Sequence, residues 1–254
     1  MPTIAEGRVT TTVTAGIATV SFHHPKGNSL PGALLSKLAA EIKALGKNPD
    51  ARVIVLRSEG QGPFCAGASF DELTAISTPE QGKAFFSGFS RVILAMVRAP
   101  QFVLTRIHGK AAGGAVGLIA ASDYSFAVDA ASAKLSELAI GIGPFIVGVA
   151  IEKKIGLAAF STMAVDADWH DAAWCERHGL YTQRYADAAA MDSALDARAK
   201  VLAGSNPEAM AELKKIFWAG TEHWERLLDE RAAMSGTLVL SDFTRNAIAA
   251  FRKG

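Results

Sequence analysis

Three times along this chain an apolar run is followed by a glycine-bearing loop and then by a segment of helical spacing. Residues 17–22, 53–56 and 102–107 read as strands. Loops at 25–28, 59–69 and 108–114 follow them, and helical patterns begin near residues 31, 70 and 115. Such alternation argues for an α/β fold in which loops at one end of the strands carry the site. A further strand at 9–13 joins the first through Thr14, Ala15 and Gly16, the pattern of a hairpin. The helix at 31–45 carries one apolar stripe of Leu34, Leu35, Leu38, Ile42 and Leu45, and Asn48, Pro49 and Asp50 end it. Residues 124–128 read as another strand. From about Ala188 the pattern becomes helical and charged on one face, over 192–202, 207–218 and 224–235. A tail of roughly 65 residues is too small to hold a core alone, so it is expected to pack on the body or on a neighbouring subunit.

Composition narrows the function classes. Half of the 254 residues are hydrophobic and a fifth are charged, which supplies a large core and excludes a mainly disordered chain. Lys and Arg number 26 against 25 Asp and Glu, without the basic excess of a general nucleic-acid or membrane-surface binder. Cys65 and Cys175 make neither a disulfide framework nor a zinc quartet and are expected as free thiols. The first residues lack the basic and apolar segments of a secretory signal, and no apolar run is long enough for a membrane span. A cytoplasmic protein is the expectation.

The glycine stretches invite a nucleotide reading, which the spacing does not support. Gly109, Gly113, Gly114 and Gly117 do not form G-x-G-x-x-G, and no Gly-Lys is followed by Ser or Thr. No G-x-S-x-G elbow and no H-E-x-x-H occur, and the six histidines are scattered, so no metal site is expected. What remains is a constellation of three segments: PFCAGASF from Pro63, HGKAAGGA from His108, and SELAIGIGP from Ser136. The first two are loops after strands, and the second opens directly onto a helix whose leading N–H groups lack intrahelical partners. One backbone donor from each loop would hold the oxygen of a polarised carbonyl, as an oxyanion hole does. Tight strand-to-helix turns or close helix packing use glycine in the same way, and spacing alone does not separate the two.

These segments resemble the enoyl-CoA hydratase/isomerase (crotonase) superfamily. Phe64 to Ala68 is similar to that family's F-x-A-G-A-D. Gly109 to Asp123 is similar to its G-x-A-x-G-G-G-x-E-L-A-x-x-x-D. Ser136 to Pro144 is similar to P-E-x-x-L-G-x-x-P, and Pro25 to Leu30 to P-K-x-N-[AS]-L. The matches occur in family order and span roughly residues 10 to 180. The resemblance implies a spiral of repeated ββα units over 1–190 and a C-terminal helical oligomerisation region over 191–254, forming trimers or dimers of trimers. It also implies an acyl-CoA thioester substrate, with coenzyme A part of that substrate and no separate cofactor. The thioester oxygen would lie between the N–H groups of Ala68 and Gly114. Lys26 and the loop of Ala66, Gly67, Ala68, Ser69 and Phe70 would line the CoA channel. Ser69 departs from the family's aspartate, and Asp123 matches a residue of structural character.

The resemblance also bears on the reaction. Gly117 stands where hydratases of the family place a first glutamate, one helical turn beyond the oxyanion donor and on its face. The second glutamate matches Glu137, set among Leu138, Ala139, Ile140 and Ile142, where burial would favour its neutral form and bring it towards working pH. A solvated Glu137, or one paired with Lys110 or Lys134, is the competing reading. One carboxylate with an oxyanion hole suits a proton shuttle, so the leading expectation is an enzyme that moves an enoyl-CoA double bond from the 3- to the 2-position. Hydration by Glu137 alone, or acyl-CoA binding without catalysis, are the alternatives. Acyl selectivity is expected from the segments around Phe85, Phe86 and Phe89 and around Phe145 and Ile146. Trp218, Trp224, Leu227 and Leu228 give the tail large apolar faces for core or subunit packing.

Overall fold

A computed structural model describes residues 7–251. Strand β1 (Arg8–Thr14) pairs antiparallel with β2 (Ile17–His23), from Arg8 opposite His23 to Thr14 opposite Ile17. The two-residue turn places Ala15 at φ 51° and Gly16 at φ 81°, the left-handed pair that matches the twist of the flanking strands. Strands β3 (Val53–Ser58), β4 (Phe102–Ile107), β6 (Tyr124–Val128) and β9 (Gln183–Tyr185) continue the sheet in parallel, in the order β1-β2-β3-β4-β6-β9. β4 is buried at every position, and β3 at all but Arg57, as befits parallel strands covered on both faces.

The loops leaving this sheet build a second layer. β5 (Ala111–Ala112), β7 (Ser132–Lys134) and β8 (His170–Asp171) form a small sheet, and single bridges add Cys65 opposite Ala111 and Leu30 opposite Ala68. Each turn of the chain thus lays one strand in the large sheet, a short extended piece in the second layer, and then a helix, which is the expected ββα spiral. Helix α1 (Gly32–Leu45) buries the stripe Leu34, Leu35, Leu38, Ile42 and Leu45. Helices α2 (Phe70–Ala75) and α3 (Pro79–Arg98) lead to β4, and α4 (Gly114–Ala120) leads to β6. All seven residues of α4 are buried.

Between β6 and β9 the sequence reading assigned only the Ser136–Pro144 motif. The structure places there α5 (Val147–Asp166), kinked at Gly156 with φ 77°, and α6 (Ala172–Arg177). In the C-terminal region lie α7 (Ala188–Ala203), α8 (Pro207–Phe217), α9 (Trp224–Leu238) and α10 (Asp242–Phe251), the last of which the sequence reading did not assign. Position 190 falls inside α7, whose Met191, Leu195 and Ala199 join the main core. α9 lies so close to α3 that a methyl on Gly82 would come within 2.6 Å of the Gly236 Cα. Lys214 of α8 reaches into the core, where its ammonium lies 2.9 Å from an Asp123 carboxylate oxygen and donates to the carbonyls of Met96 and Gln101. Asp123 also accepts from the Val103 N–H and the Trp218 indole, which gives it the structural role expected. Among the described residues no helix is long and apolar enough to cross a membrane.

Candidate active site

The loops after β3 and β4 are zipped together. Cys65 donates its N–H to the Lys110 carbonyl, Ala112 donates to Cys65, and Leu30 donates to Gly67. Gly67 has φ 91°, and a methyl there would come within 2.8 Å of the Ala112 carbonyl oxygen and 3.7 Å of the Gly114 nitrogen. Glycine is therefore required for the two loops to meet, and their meeting brings the Ala68 and Gly114 segments side by side. The Ala68 N–H makes no hydrogen bond within the described residues, and that of Gly114, at the start of α4, has no intrahelical partner. Gly114 is itself covered by Phe89, whose ring a methyl would meet at 2.3 Å.

Glu137 follows β7 and opens a 3₁₀ turn (Leu138–Ile140) that Gly141 closes at φ 82°. Its carbonyl accepts from the N–H groups of Ile140 and Ile142, which fixes the turn. The carboxylate lies over Gly113, with Oε1 3.2 Å from where a Cβ would stand, and Gly113 adopts φ 53°. Oε2 is buried without a hydrogen-bond partner among the described residues. Burial raises the carboxyl to about 7 from its usual 4.5, and the backbone N–H groups of Ser136 and Glu137 offset part of that effect. Lys110 and Lys134 are turned instead towards the ring of Trp169, so the reading in which either pairs with Glu137 does not hold.

These elements enclose a cavity of about 1120 Å³. Lys26, Ala66, Gly67, Ala68, Phe70, Gly114 and Glu137 all line it. Ser69 is the exception among the expected site residues. Its hydroxyl caps α2 by accepting the Glu72 N–H, an N-cap role that a serine fills as well as an aspartate. Lys26 forms an ion pair with Asp71 at the cavity wall. Phe85, Phe86, Phe89, Phe145 and Ile146 give the cavity its apolar side.

The position of Gly117 has a steric cause beyond its own lack of a side chain. A Cβ there would lie 2.6 Å from Cγ1 and 2.7 Å from Cβ of Val147, which lines the cavity from the start of α5. The space a first carboxylate would enter is thus filled by valine. Ser136, which sequence reading gave only as the start of a motif, and Lys134, given only as a partner of Glu137 in the competing reading, line the cavity, as do Trp169 and the α10 residues Ala247 and Ala250, which it missed. Ser136 and Lys134 stand within three residues of Glu137, a proximity that was available; Trp169 lies in a loop that no periodicity marks. Among the described residues no cluster of three or more His, Cys, Asp or Glu is arranged to hold a metal ion. Cys65 and Cys175 are free and buried, and burial raises both thiols to about 12.

The sequence profile of the enoyl-CoA hydratase/isomerase family matches residues 12–251. The chain belongs to that family. Similar members differ in reaction. A mitochondrial methylglutaconyl-CoA hydratase of Rattus norvegicus is 31% identical over 214 residues, covering 82% of this chain and 67% of that protein. A peroxisomal Delta(3,5)-Delta(2,4)-dienoyl-CoA isomerase of Arabidopsis thaliana is 25% identical over 230 residues, covering 82% of this chain and 80% of that protein. Among solved structures, an enoyl-CoA hydratase from Mycobacterium avium superposes with a TM-score of 0.85 at 26% identity, over 96% of each chain. The enoyl-CoA hydratase of Bacillus halodurans reaches 0.88 at 17% identity, over 95% of this chain and 99% of that one, a likeness of fold alone. Membership therefore fixes the enoyl-CoA hydratase/isomerase class, and the reaction within it rests on the site.

Proposed function

We propose that this enzyme binds an enoyl-CoA thioester and moves its double bond from the 3- to the 2-position, with Glu137 as the sole acid and base. The thioester oxygen accepts from the N–H groups of Ala68 and Gly114. The Glu137 carboxylate removes a proton from C2, the C2–H electron pair delocalises into the thioester, and the two donors hold the resulting enolate oxygen. The enolate pair then forms the C2–C3 double bond as the C3–C4 π pair takes the same proton at C4 from the Glu137 carboxyl. No atom is gained or lost, and Glu137 ends as it began. A carboxyl near pH 7 suits both halves of this transfer. Lys26 and the Ala66–Gly67–Ala68 loop border the CoA arm, and the phenylalanine side of the cavity takes the acyl chain.

The single observation that carries the reading is Val147 against Gly117. Hydration divides water activation and protonation of the α-carbon between two groups, and the place of the second is occupied by an aliphatic side chain. We also propose that the C-terminal helices mediate homotrimers or dimers of trimers. Leu213, Ile216 and Phe217 expose an apolar face on α8, Ile216 being 69% exposed, which supports association. A monomer by light scattering at micromolar concentration refutes that proposal.

The reaction is tested by supplying trans-3-hexenoyl-CoA and crotonyl-CoA separately and following conjugated-enoyl absorbance, with Glu137→Gln alongside. Conjugation gained from the 3-enoyl substrate, and lost in the variant, is the expected result. Loss of absorbance from crotonyl-CoA with no change in the 3-enoyl substrate makes the enzyme a hydratase and overturns the assignment. Tight binding of both without turnover makes it an acyl-CoA-binding member.

A further inference from the structure

The cavity has a cationic corner that the proton shuttle does not use. Lys134 and Trp169 both line the cavity. The Lys134 ammonium lies 6.0 Å from the centroid of the Trp169 ring, and that of Lys110 lies 5.0 Å from the same centroid. The indole attracts each ammonium group, yet two like charges gathered on one ring repel each other until an anion joins them. Among the described residues neither lysine forms an ion pair. The acids of the adjoining loop are engaged locally. Asp166 pairs with His170, Asp168 accepts the Trp169 N–H, and Asp171 caps α6 through the Trp174 N–H. Trp169 remains 41% exposed, so the corner is open to a ligand.

We infer that Lys134, Lys110 and Trp169 form a subsite for a carboxylate carried by the acyl group, so that the preferred substrate is an enoyl-CoA with a free acid in its acyl part. The inference rests on the reading of the cavity as an enoyl-CoA site and names the substrate class within it. Position separates this anion from the phosphates of CoA. Lys134 pairs in register with Ala112, two residues before the oxyanion donor Gly114, and stands three residues before Glu137. Its strand thus lies beside the oxyanion loop, and its side chain lines the same cavity as Ala68, Gly114 and Glu137. The pantetheine arm carries the phosphates away from the thioester by more than a lysine side chain spans. An anion beside the reacting carbons comes from the acyl group.

Calorimetric binding of hexanedioyl-CoA, hexanoyl-CoA and free CoA tests the subsite. The acyl chains are saturated, so binding is read whether or not the enzyme isomerises. The intact protein is expected to bind the acid about tenfold more tightly than the neutral chain, the scale of one charge-assisted contact. Lys134→Gln brings that ratio close to one, and Lys134→Arg keeps it; Lys110→Gln serves as a second variant if the first fails to fold. A ratio near one in the intact protein, or a ratio that both Gln variants leave unchanged, overturns the inference. Equal weakening of free CoA by the Gln variants assigns the corner to the CoA phosphates and also overturns it. Tighter binding of the acid, with no isomerisation of either trans-3-hexenoyl-CoA or the acid-bearing trans-3-hexenedioyl-CoA, leaves the subsite standing and removes the isomerase reading.

Discussion

Replacing Glu137 with glutamine is expected to destroy activity and stabilise the fold, and the two effects share one cause. Burial away from water raises the carboxyl to about 7 from 4.5, and Oε2 has no hydrogen-bond partner among the described residues. Between pH 4.5 and 7 the folded protein keeps a proton that the unfolded chain has released. Stability therefore falls as pH rises through that window and stays at the lower level above it. The difference amounts to at most about 3 kcal/mol at pH 8. Glutamine has no charge to desolvate, so Glu137→Gln gains up to that amount at pH 8 and almost nothing at pH 4.5. For a chain of this length the gain corresponds to a Tm higher by about 5–10 °C at pH 8. Thermal unfolding of both proteins, followed by circular dichroism at pH 4.5, 6 and 8, measures it. If the ionised form is the base, as proposed, kcat/KM of the parent enzyme is expected to rise with unit slope to about pH 7, with roughly a tenth of full activity at pH 6. The variant loses about 10²–10⁴ in rate. Equal Tm values at pH 8, or a gap that does not shrink towards pH 4.5, would refute the desolvated carboxylate. A flat activity profile between pH 5 and 8 would refute its role as base.

Three other perturbations probe the surroundings. Gly67→Ala places a methyl 2.8 Å from the Ala112 carbonyl at φ 91°, which shifts the Ala68 donor; kcat is expected to fall about 10²–10³-fold in steady-state assays of a still-folded protein. Gly117→Glu meets Val147 and is expected to lose about 1–3 kcal/mol of stability in urea titration without gaining hydratase activity, whereas the Gly117→Glu, Val147→Gly pair makes room for the second carboxylate and hydrates crotonyl-CoA. Lys214→Met removes the ammonium paired with the buried Asp123, which keeps only its hydrogen bonds from Val103 and Trp218, and is expected to cost about 3 kcal/mol in the same titration.

Much of the frame was legible in the chain. The buried runs 102–107 and 124–128 coincide with β4 and β6, and the stripe from Leu34 to Leu45 is the buried face of α1. These elements carry a clean period or an unbroken apolar run bounded by turn residues. The region between β6 and β9 was not readable in the same way. β7, β8 and β9 are two or three residues long, and α5 is interrupted at Gly156, so neither period has room to show. The site was legible where chemistry demands glycine. Gly67 and Gly113 are needed at positive φ, where the loops approach each other and Glu137. Ser69 lies in the expected segment, yet its side chain turns to cap α2, a choice made by the helix that begins after it.

The sequence by itself determined the alternation of strand, glycine loop and helix, the two glycine loops that meet beside Ala68 and Gly114, and the presence of one carboxylate at 137 with none at 117. Each is a property of residue type and local spacing, which the backbone obeys wherever the segment is placed. Only the tertiary structure decided that Val147 fills the space beside Gly117 and that the Glu137 carboxylate is buried, its Oε2 without a partner among the described residues. It also gathered Lys110 and Lys134 on Trp169 and sent Lys214 through the core to Asp123. Burial and proximity arise where distant segments pack together, and a proton's affinity for a carboxylate follows from what surrounds it in space.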